Sequence, residues 1–169
     1  MIKTAREIAD KQERRPMRIL QFHSRLWIPR RRGEVFEFFA NAQNLEEITP
    51  AWVQFRFVST PPAPMRQGAE IEYRLKIHGI PIGWRSRITV WDPPQSFVDE
   101  QVRGPYRLWI HEHKFSEDNG GTLCEDHVKY VPPGGTLVSK LFVEKDIRKI
   151  FAYRSERLRA IFGEVSVKN

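Results

Sequence analysis

Alternation of apolar and polar residues dominates the middle of the chain. In residues 69–79, AEIEYRLKIHG, an apolar series begins with Ala69, Ile71 and Tyr73 at every second position, and polar residues fill the positions between them. Side chains of a strand point alternately to its two faces, so this period of two predicts a strand with one face on a core and one in water. Similar runs predict strands over 17–29, 52–59, 84–92, 96–102 and 122–131, and in the second part of 104–115.

Short links rich in Pro and Gly separate these runs. PIG stands before residue 84, PPQ follows residue 92, and SEDNGG occupies 116–121. Links this short join neighbouring antiparallel strands, because a parallel pair needs a long crossover. The middle of the chain is therefore predicted to form one antiparallel sheet.

Two segments have helical spacing instead. Residues 30–48 place apolar side chains three and four positions apart, and the asparagines at 41 and 44 indicate a break into two short helices that stop before Pro50. Residues 136–165 predict one long helix that ends near Gly163. Its apolar stripe comprises Val143, Ile147, Ile150, Phe151, Leu158 and Ile161.

This order of elements predicts an α+β fold in which a curved antiparallel sheet wraps around the C-terminal helix. A sheet with one apolar face needs a cover, and the long helix is the only amphipathic element large enough to provide it. Because a helix is narrower than such a concavity, we expect a cavity between the two. The expected domain spans 17–163, with a polar extension over 1–16 and a tail over 164–169.

Composition limits the class of protein. With 169 residues, 40% hydrophobic and 29% charged, the chain is predicted to be one soluble globular domain. No apolar run is long enough to span a membrane, the first residues lack a secretory signal, and the single Cys124 excludes an internal disulfide. These features favour a cytoplasmic protein.

The charge is basic, with 28 Lys and Arg against 21 Asp and Glu. A net charge of +7 attracts phosphates in general, but here the cations are scattered, and only RRP at 14–16 and RRR at 30–32 cluster. Scattered cations keep a protein in solution, so the pattern does not favour a nucleic-acid partner.

At this point the chain resembles the START-like SRPBCC superfamily, whose members have the helix-grip fold. The resemblance covers roughly 17–163 and rests on the order of elements, on EVFEFFANAQNLEEITP after the first strand and on FVDEQVRGPYRLWIHEHKF. It implies a cavity that takes a small hydrophobic or amphipathic ligand. The superfamily also includes polyketide cyclases and dehydratases, but it has no single catalytic motif to transfer to this chain.

Strand phase predicts which side chains line that cavity. Glu112 and Lys114 belong in water, so the neighbours that alternate with them face inward. Arg154 interrupts the apolar stripe of the long helix, and a charge there must reach the cavity, an acidic partner or solvent. The expected ligand-binding residues are Tyr73, Asp99, Trp109, His111, His113, Phe115, Asp126, Tyr130 and Arg154.

The pair His111 and His113 has three interpretations. The two imidazoles could bind a metal with Asp126 as third ligand, but no Cys/His cluster supports this, and we expect neither metal nor cofactor. They could act as acid and base in a cyclase or dehydratase, which makes His111, His113 and Asp126 the catalytic candidates. They could also be polar residues that orient a ligand. The sequence does not decide whether the protein is an enzyme.

Other polar and aromatic residues have simpler interpretations. Cys124 is predicted to be a small core residue, and His23 and His78 to lie on the outer face. Trp27 and Trp91 have the outward phase, which predicts a contact patch, core packing or coverage by the N-terminal helix.

Overall fold

The computed structural model describes residues 18–133 and 142–163. The predicted extension over 1–16, the start of the long helix and the tail over 164–169 lie outside these residues. The strands are β1 (Leu20–Ile28), β2 (Arg56–Phe57), β3 (Glu70–Ile77), β4 (Ile80–Asp92), β5 (Ser96–Arg103), β6 (Leu108–Asp118) and β7 (Gly121–Val131). The helices are α1 (Arg32–Ala40), the 3-10 helices Ala42–Leu45 and Ala51–Val53, and α2 (Glu144–Phe162).

All seven strands form one antiparallel sheet in the order β1-β7-β6-β5-β4-β3-β2. The first and last strands are neighbours, with Leu20 opposite Tyr130 and Ile28 opposite Thr122. The connections from β3 to β7 are hairpins, as the short links predict. Together with α2 on one face, this sheet confirms the predicted α+β helix-grip fold.

The helix α2 covers the sheet with the side that the sequence predicts. Ile147, Phe151 and Leu158 are buried, and Phe162 joins them at the end of the helix. Gly163 follows with a φ of 89°, a conformation that glycine adopts without strain, so the predicted stop is confirmed. None of the described helices is both long and apolar enough to cross a membrane.

The turn between β3 and β4 lies earlier than the sequence predicts. His78 and Gly79 take the turn with φ values of 51° and 80°, and Pro81 lies in β4 opposite Lys76. Two positive φ values in succession match the twist of antiparallel strands, which explains why the turn forms here rather than at PIG.

The predicted strand over 52–59 is wrong for most of its length. Ala51–Val53 is a 3-10 helix, and Gln54 has a left-handed conformation with a φ of 47°. Only Arg56–Phe57 pairs with β3. Val53 and Phe55 are still buried, so the alternating pattern correctly predicted which residues are buried, although they do not lie in a strand.

A β-bulge in β4 turns Trp91 inward. The register with β5 shifts between Ile88 and Val90, so that Val90 is exposed and Trp91 faces the core. The ring of Trp91 packs 5.3 Å from that of Phe36, centroid to centroid. The outward phase predicted for Trp91 is therefore wrong, and core packing, one of the three alternatives, is what the structure has.

Candidate functional site

A cavity of about 200 Å³ lies between α2 and the inner face of the sheet. Its walls are mostly apolar, and they come from α1, the segment 41–55, strands β3 to β6 and one side of α2. From α2, the residues Ile147, Ile150, Phe151 and Arg154 reach it. The cavity therefore lies where the sequence predicts one.

One wall of the cavity is aromatic. Tyr73 on β3 stacks on Trp84 of β4 with ring centroids 6.0 Å apart. Trp84 in turn meets Trp109 of β6 edge-on at 5.3 Å, and Tyr106 packs 4.8 Å from Trp109. These ring contacts connect β3, β4 and β6 and give the wall a large aromatic area for an apolar ligand.

The opposite character appears where β5, β6 and β7 run side by side. Asp99 lies opposite His111, and His113 lies opposite Asp126. All four side chains point inward because each lies on the apolar phase of its strand. The structure thus brings together two carboxylates and two imidazoles, which we call the His/Asp cluster.

Distances within the His/Asp cluster are short. The Nε2 atom of His111 is 2.9 Å from Oδ1 of Asp126, and the Nδ1 atom of His113 is 3.1 Å from the same oxygen. Asp99 presents Oδ2 to both rings, 3.5 Å from Nδ1 of His111 and 3.3 Å from Nε2 of His113. The two imidazole centroids are 3.8 Å apart. Each ring therefore lies between the two carboxylates.

Electrostatics of the cluster assign its charges. Burial opposes ionisation of both aspartates, but contacts with His111 and His113 outweigh it and hold the pKa of Asp126 far below its usual value and that of Asp99 below it. Burial and the neighbouring His113 lower the pKa of His111. Burial also opposes charging of His113, yet Asp126 and Asp99 raise its pKa. The cluster thus favours ionised carboxylates and protonation of His113 before His111.

Arg154 and Ser86 extend the cluster. The Nη1 atom of Arg154 is 4.0 Å from Oδ1 of Asp126, and its guanidinium lies 4.9 Å from the ring centroid of Phe151. Its Nε atom is buried without a hydrogen-bond partner among the described residues. On the other side, the hydroxyl of Ser86 donates to Asp99 at 3.3 Å and accepts from the indole of Trp84 at 3.1 Å. The polar cluster is thereby tied to the aromatic wall.

A known protein family matches most of the chain. Residues 28–159 match the family described as "Polyketide cyclase / dehydrase and lipid transport". The chain belongs to this family. It is of the SRPBCC type, so the resemblance seen in the sequence is confirmed. No curated protein matches the chain.

Solved structures share the fold of this SRPBCC chain at low identity. Major latex-like protein 151 from Panax ginseng has a TM-score of 0.65 and 12% identity, with 85% of this chain and 97% of that one covered. Protein Ms6760 from Mycobacterium smegmatis has a TM-score of 0.63 and 16% identity, with coverage of 84% and 90%. TTHA0849 from Thermus thermophilus has a TM-score of 0.62 and 17% identity, with coverage of 84% and 99%.

Most of the predicted ligand-binding residues of this SRPBCC chain line the cavity. These are Tyr73, Asp99, Trp109, His111, His113 and Arg154. Phe115 and Asp126 lie behind that wall, beside a second cavity of about 10 Å³. Tyr130 is buried in a cluster with Val128, Ile147 and Phe151, next to the main cavity.

The predicted ligand-binding set omits many residues of the cavity wall, of which four are instructive. Trp84 and Ser86 share the inward phase of β4, Tyr106 follows the turn before β6, and Phe151 lies on the stripe of α2. The inward direction of Trp84 and Ser86 could have been predicted from the alternation along β4. Tyr106 had no periodic signal, because its place is fixed by the loop and by hydrogen bonds between Gln101 and its backbone.

Proposed function

We propose that the protein binds a small, largely apolar molecule that carries one polar group. The observation that supports this most is the asymmetry of the cavity, which has an aromatic wall and a compact polar cluster. Apolar burial contributes roughly 25 cal/mol per Å² of surface, so the aromatic wall supplies most of the affinity. The polar cluster fixes the orientation of the ligand.

The size of the cavity narrows the ligand class. Its volume of about 200 Å³ is below the roughly 300–1,000 Å³ of sites for drug-sized compounds. A molecule of one or two rings suits it better than a long lipid chain. Flat rings also match the stacked walls, since aromatic pairs gain energy beyond the area that they bury.

Arg154 indicates the chemistry of the polar group. Its buried Nε has no hydrogen-bond partner among the described residues, and a buried donor in that state costs about 1–3 kcal/mol. A ligand oxygen that accepts from this donor removes the cost. We therefore infer a ligand with a carbonyl, carboxylate or phenol oxygen at its polar end.

We test this by native mass spectrometry of the purified protein, followed by titration with small aromatic acids and ketones. We expect a ligand to quench the emission of Trp84 and Trp109 and to raise the melting temperature. Trp109→Phe should weaken binding, and the matched Trp27→Phe should not, because Trp27 lies outside the cavity wall and donates to the carbonyl of Asp118. The proposal would be contradicted if no compound co-purified with the protein and no member of this series raised its melting temperature.

A second candidate is a cyclase or dehydratase that acts on the molecule in this cavity. The supporting observation is His111, whose Nε2 is held by Asp126 at 2.9 Å while the ring lies in the cavity wall. An imidazole oriented by a carboxylate can serve as a general base, an effect typically worth about 10²–10⁴-fold in rate. Mass spectrometry of the bound compound would then record a loss of water that His111→Gln abolishes and His127→Gln, on the outer face, does not.

We also infer a cytoplasmic protein whose partner is this small ligand rather than a nucleic acid. Cys124 is free and buried, which suits a reducing compartment. Several cations are already paired with neighbours, as Arg25 is with Glu125 and Arg87 with Glu70.

A further inference from the structure

The face of the His/Asp cluster that lines the cavity consists of three groups able to bind a metal. Asp99, His111 and His113 each offer one atom, and the three atoms lie within 4.8 Å of one another. They come from two neighbouring strands of a hydrogen-bonded sheet, so their spacing is fixed by the register rather than by a loop. Asp126, the carboxylate that the sequence suggested as third ligand, lies on the other side of the rings.

Two of the distances fit the edges of a metal polyhedron. Oδ2 of Asp99 is 3.5 Å from Nδ1 of His111 and 3.3 Å from Nε2 of His113. Nitrogen and oxygen ligands bind zinc at roughly 2.0–2.2 Å, which places two ligands of a tetrahedron about 3.3–3.5 Å apart. Two of the three edges therefore match those of a zinc site, and no ligand atom is more than 4.8 Å from another.

The remaining ring nitrogens meet a carboxylate. Nε2 of His111 and Nδ1 of His113 are 2.9 Å and 3.1 Å from Oδ1 of Asp126. Histidines that bind metals usually present their second nitrogen to a carboxylate or carbonyl, which fixes the tautomer and strengthens the ligand. Asp126 is hydrogen-bonded to His111 and lies beside Nδ1 of His113, which has no hydrogen-bond partner among the described residues. The other nitrogens of both rings are directed at Asp99.

We propose that Asp99, His111 and His113 form a site for a divalent transition-metal ion such as Zn²⁺, with Asp126 as the carboxylate that orients His111 and lies beside His113. Two nitrogens and one oxygen are ligands that Zn²⁺ accepts, and a three-ligand site leaves a fourth position. All three ligands line the cavity, so that position faces the space where an organic ligand would lie. The proposal replaces the expectation, from sequence alone, that the protein holds no metal.

The side chains around this position supply negative charge for a divalent ion. Asp99 and Asp126 flank the two imidazoles, and the guanidinium of Arg154 lies 4.0 Å from Oδ1 of Asp126. An ion would also use the lone pairs that a general base needs, so metal binding and acid/base catalysis by these imidazoles exclude each other.

The test is a titration of chelator-treated protein with Co²⁺, followed by visible absorption, and with Zn²⁺, followed by calorimetry. We expect one ion per chain and the intense bands of four-coordinate Co²⁺. Asp99→Asn should abolish them. Asp126→Asn removes no ligand and should weaken binding by roughly 10- to 100-fold.

The matched control tests the alternative that the ion binds to His127 and its neighbours on the outer face of the sheet. His127 has its Nδ1 atom 3.4 Å from Oε2 of Glu112, and its ring lies 4.6 Å from that of His23. His127→Gln should leave the Co²⁺ spectrum unchanged, with circular dichroism confirming that each variant is folded.

Absence of Co²⁺ bands in the wild-type protein at stoichiometric ion would overturn the proposal, whether or not the variants fold. So would bands that disappear in His127→Gln and persist in Asp99→Asn. The titration needs no organic ligand, so its failure leaves the proposal of ligand binding intact. If the protein binds the metal but no organic ligand, the metal site stands and the proposal of ligand binding fails.

Discussion

Cys124 lies on β7 two residues before Asp126, with its side chain in the core. Burial, and secondly the charge of Asp126, raise the pKa of its thiol to about 12. At neutral pH the thiol is therefore almost entirely protonated, which agrees with a packing role and argues against a nucleophile.

This single thiol gives a prediction for chemical labelling. Because its pKa rises from 9.0 to about 12, the thiolate fraction near pH 8 falls roughly 1,000-fold against the unfolded chain. A disulfide reagent should therefore label the native protein at least that much more slowly than the protein in denaturant, and absorbance of the released thiol follows both rates. Rapid stoichiometric labelling of the native protein would contradict the burial and the charge assigned to Cys124.

The sequence largely predicts which side chains face the core, because one rule governs the direction of side chains in strands. Charged residues on alternate positions identify the wet face of a strand, and the rule put Asp99, His111, His113 and Asp126 inside. It could not give the pairing between strands, which decides that Asp99 rather than Asp126 shares the cavity face with the histidines. That choice depends on the register of β5 with β6, and nothing local encodes it.

At the scale of elements, the hairpin of β6 and β7 depends on two successive glycines. Asn119 and Gly120 take positive φ values of 45° and 78° in the turn. Gly121 then begins β7 beneath the indole of Trp27, whose Nε1 donates to the carbonyl of Asp118 at 2.9 Å. Trp27 thereby closes over the hairpin, which accounts for a large aromatic residue at an outward position.

Gly121→Ala should destabilise the protein. A Cβ atom there would lie 2.5 Å from the backbone oxygen of Ile28 and equally close to the ring of Trp27, and overpacking of this kind typically costs about 1–3 kcal/mol. Gly83→Ala on β4 is the matched control. Among the described residues, its two chain neighbours aside, no heavy atom lies within 4 Å of its added Cβ, and alanine in a strand is favoured over glycine by roughly 0.5–1 kcal/mol. Urea unfolding of both variants checks this, and equal effects would contradict the packing of Trp27 on Gly121.

The boundaries of the strands were harder to predict from the sequence than the type of each element. The bulge between Ile88 and Val90 reverses the phase of Trp91, and the turn at His78 moves Pro81 into a strand. Each of these follows from pairing with a neighbouring strand. Alternation in one strand contains no information about that partner, so such shifts appear only when the sheet is assembled.

At the scale of the whole molecule, α2 holds two parts of the core together. Leu158 and Phe162 belong to the larger apolar cluster with α1, and Ile147 and Phe151 belong to a second cluster with β7. The cavity lies along the helix between these contacts, with Phe151 in its wall. A change in α2 therefore affects stability and cavity volume to different extents at different positions.

Phe151→Ala should enlarge the cavity and Leu158→Ala should not. Both remove a buried side chain, which costs about 3–5 kcal/mol for Phe and about 2–5 kcal/mol for Leu, but only Phe151 lines the main cavity. We expect comparable losses in urea unfolding, and tighter binding of a bulky fluorescent naphthalene dye in Phe151→Ala alone. Improved dye binding by Leu158→Ala would instead indicate general loosening of the core.

The pairing of β1 with β7 has a consequence for the order in which the protein forms. Among the described strands β1 is synthesised first, yet its hydrogen-bonding partner β7 is the last, with Gln21 opposite Lys129 and Trp27 opposite Leu123. On the ribosome, β1 must wait until nearly the whole sheet has emerged, while the hairpins from β3 to β7 can close one after another. Contacts between such distant parts of a chain form slowly, so the docking of β1 is expected to be a late event in biosynthesis.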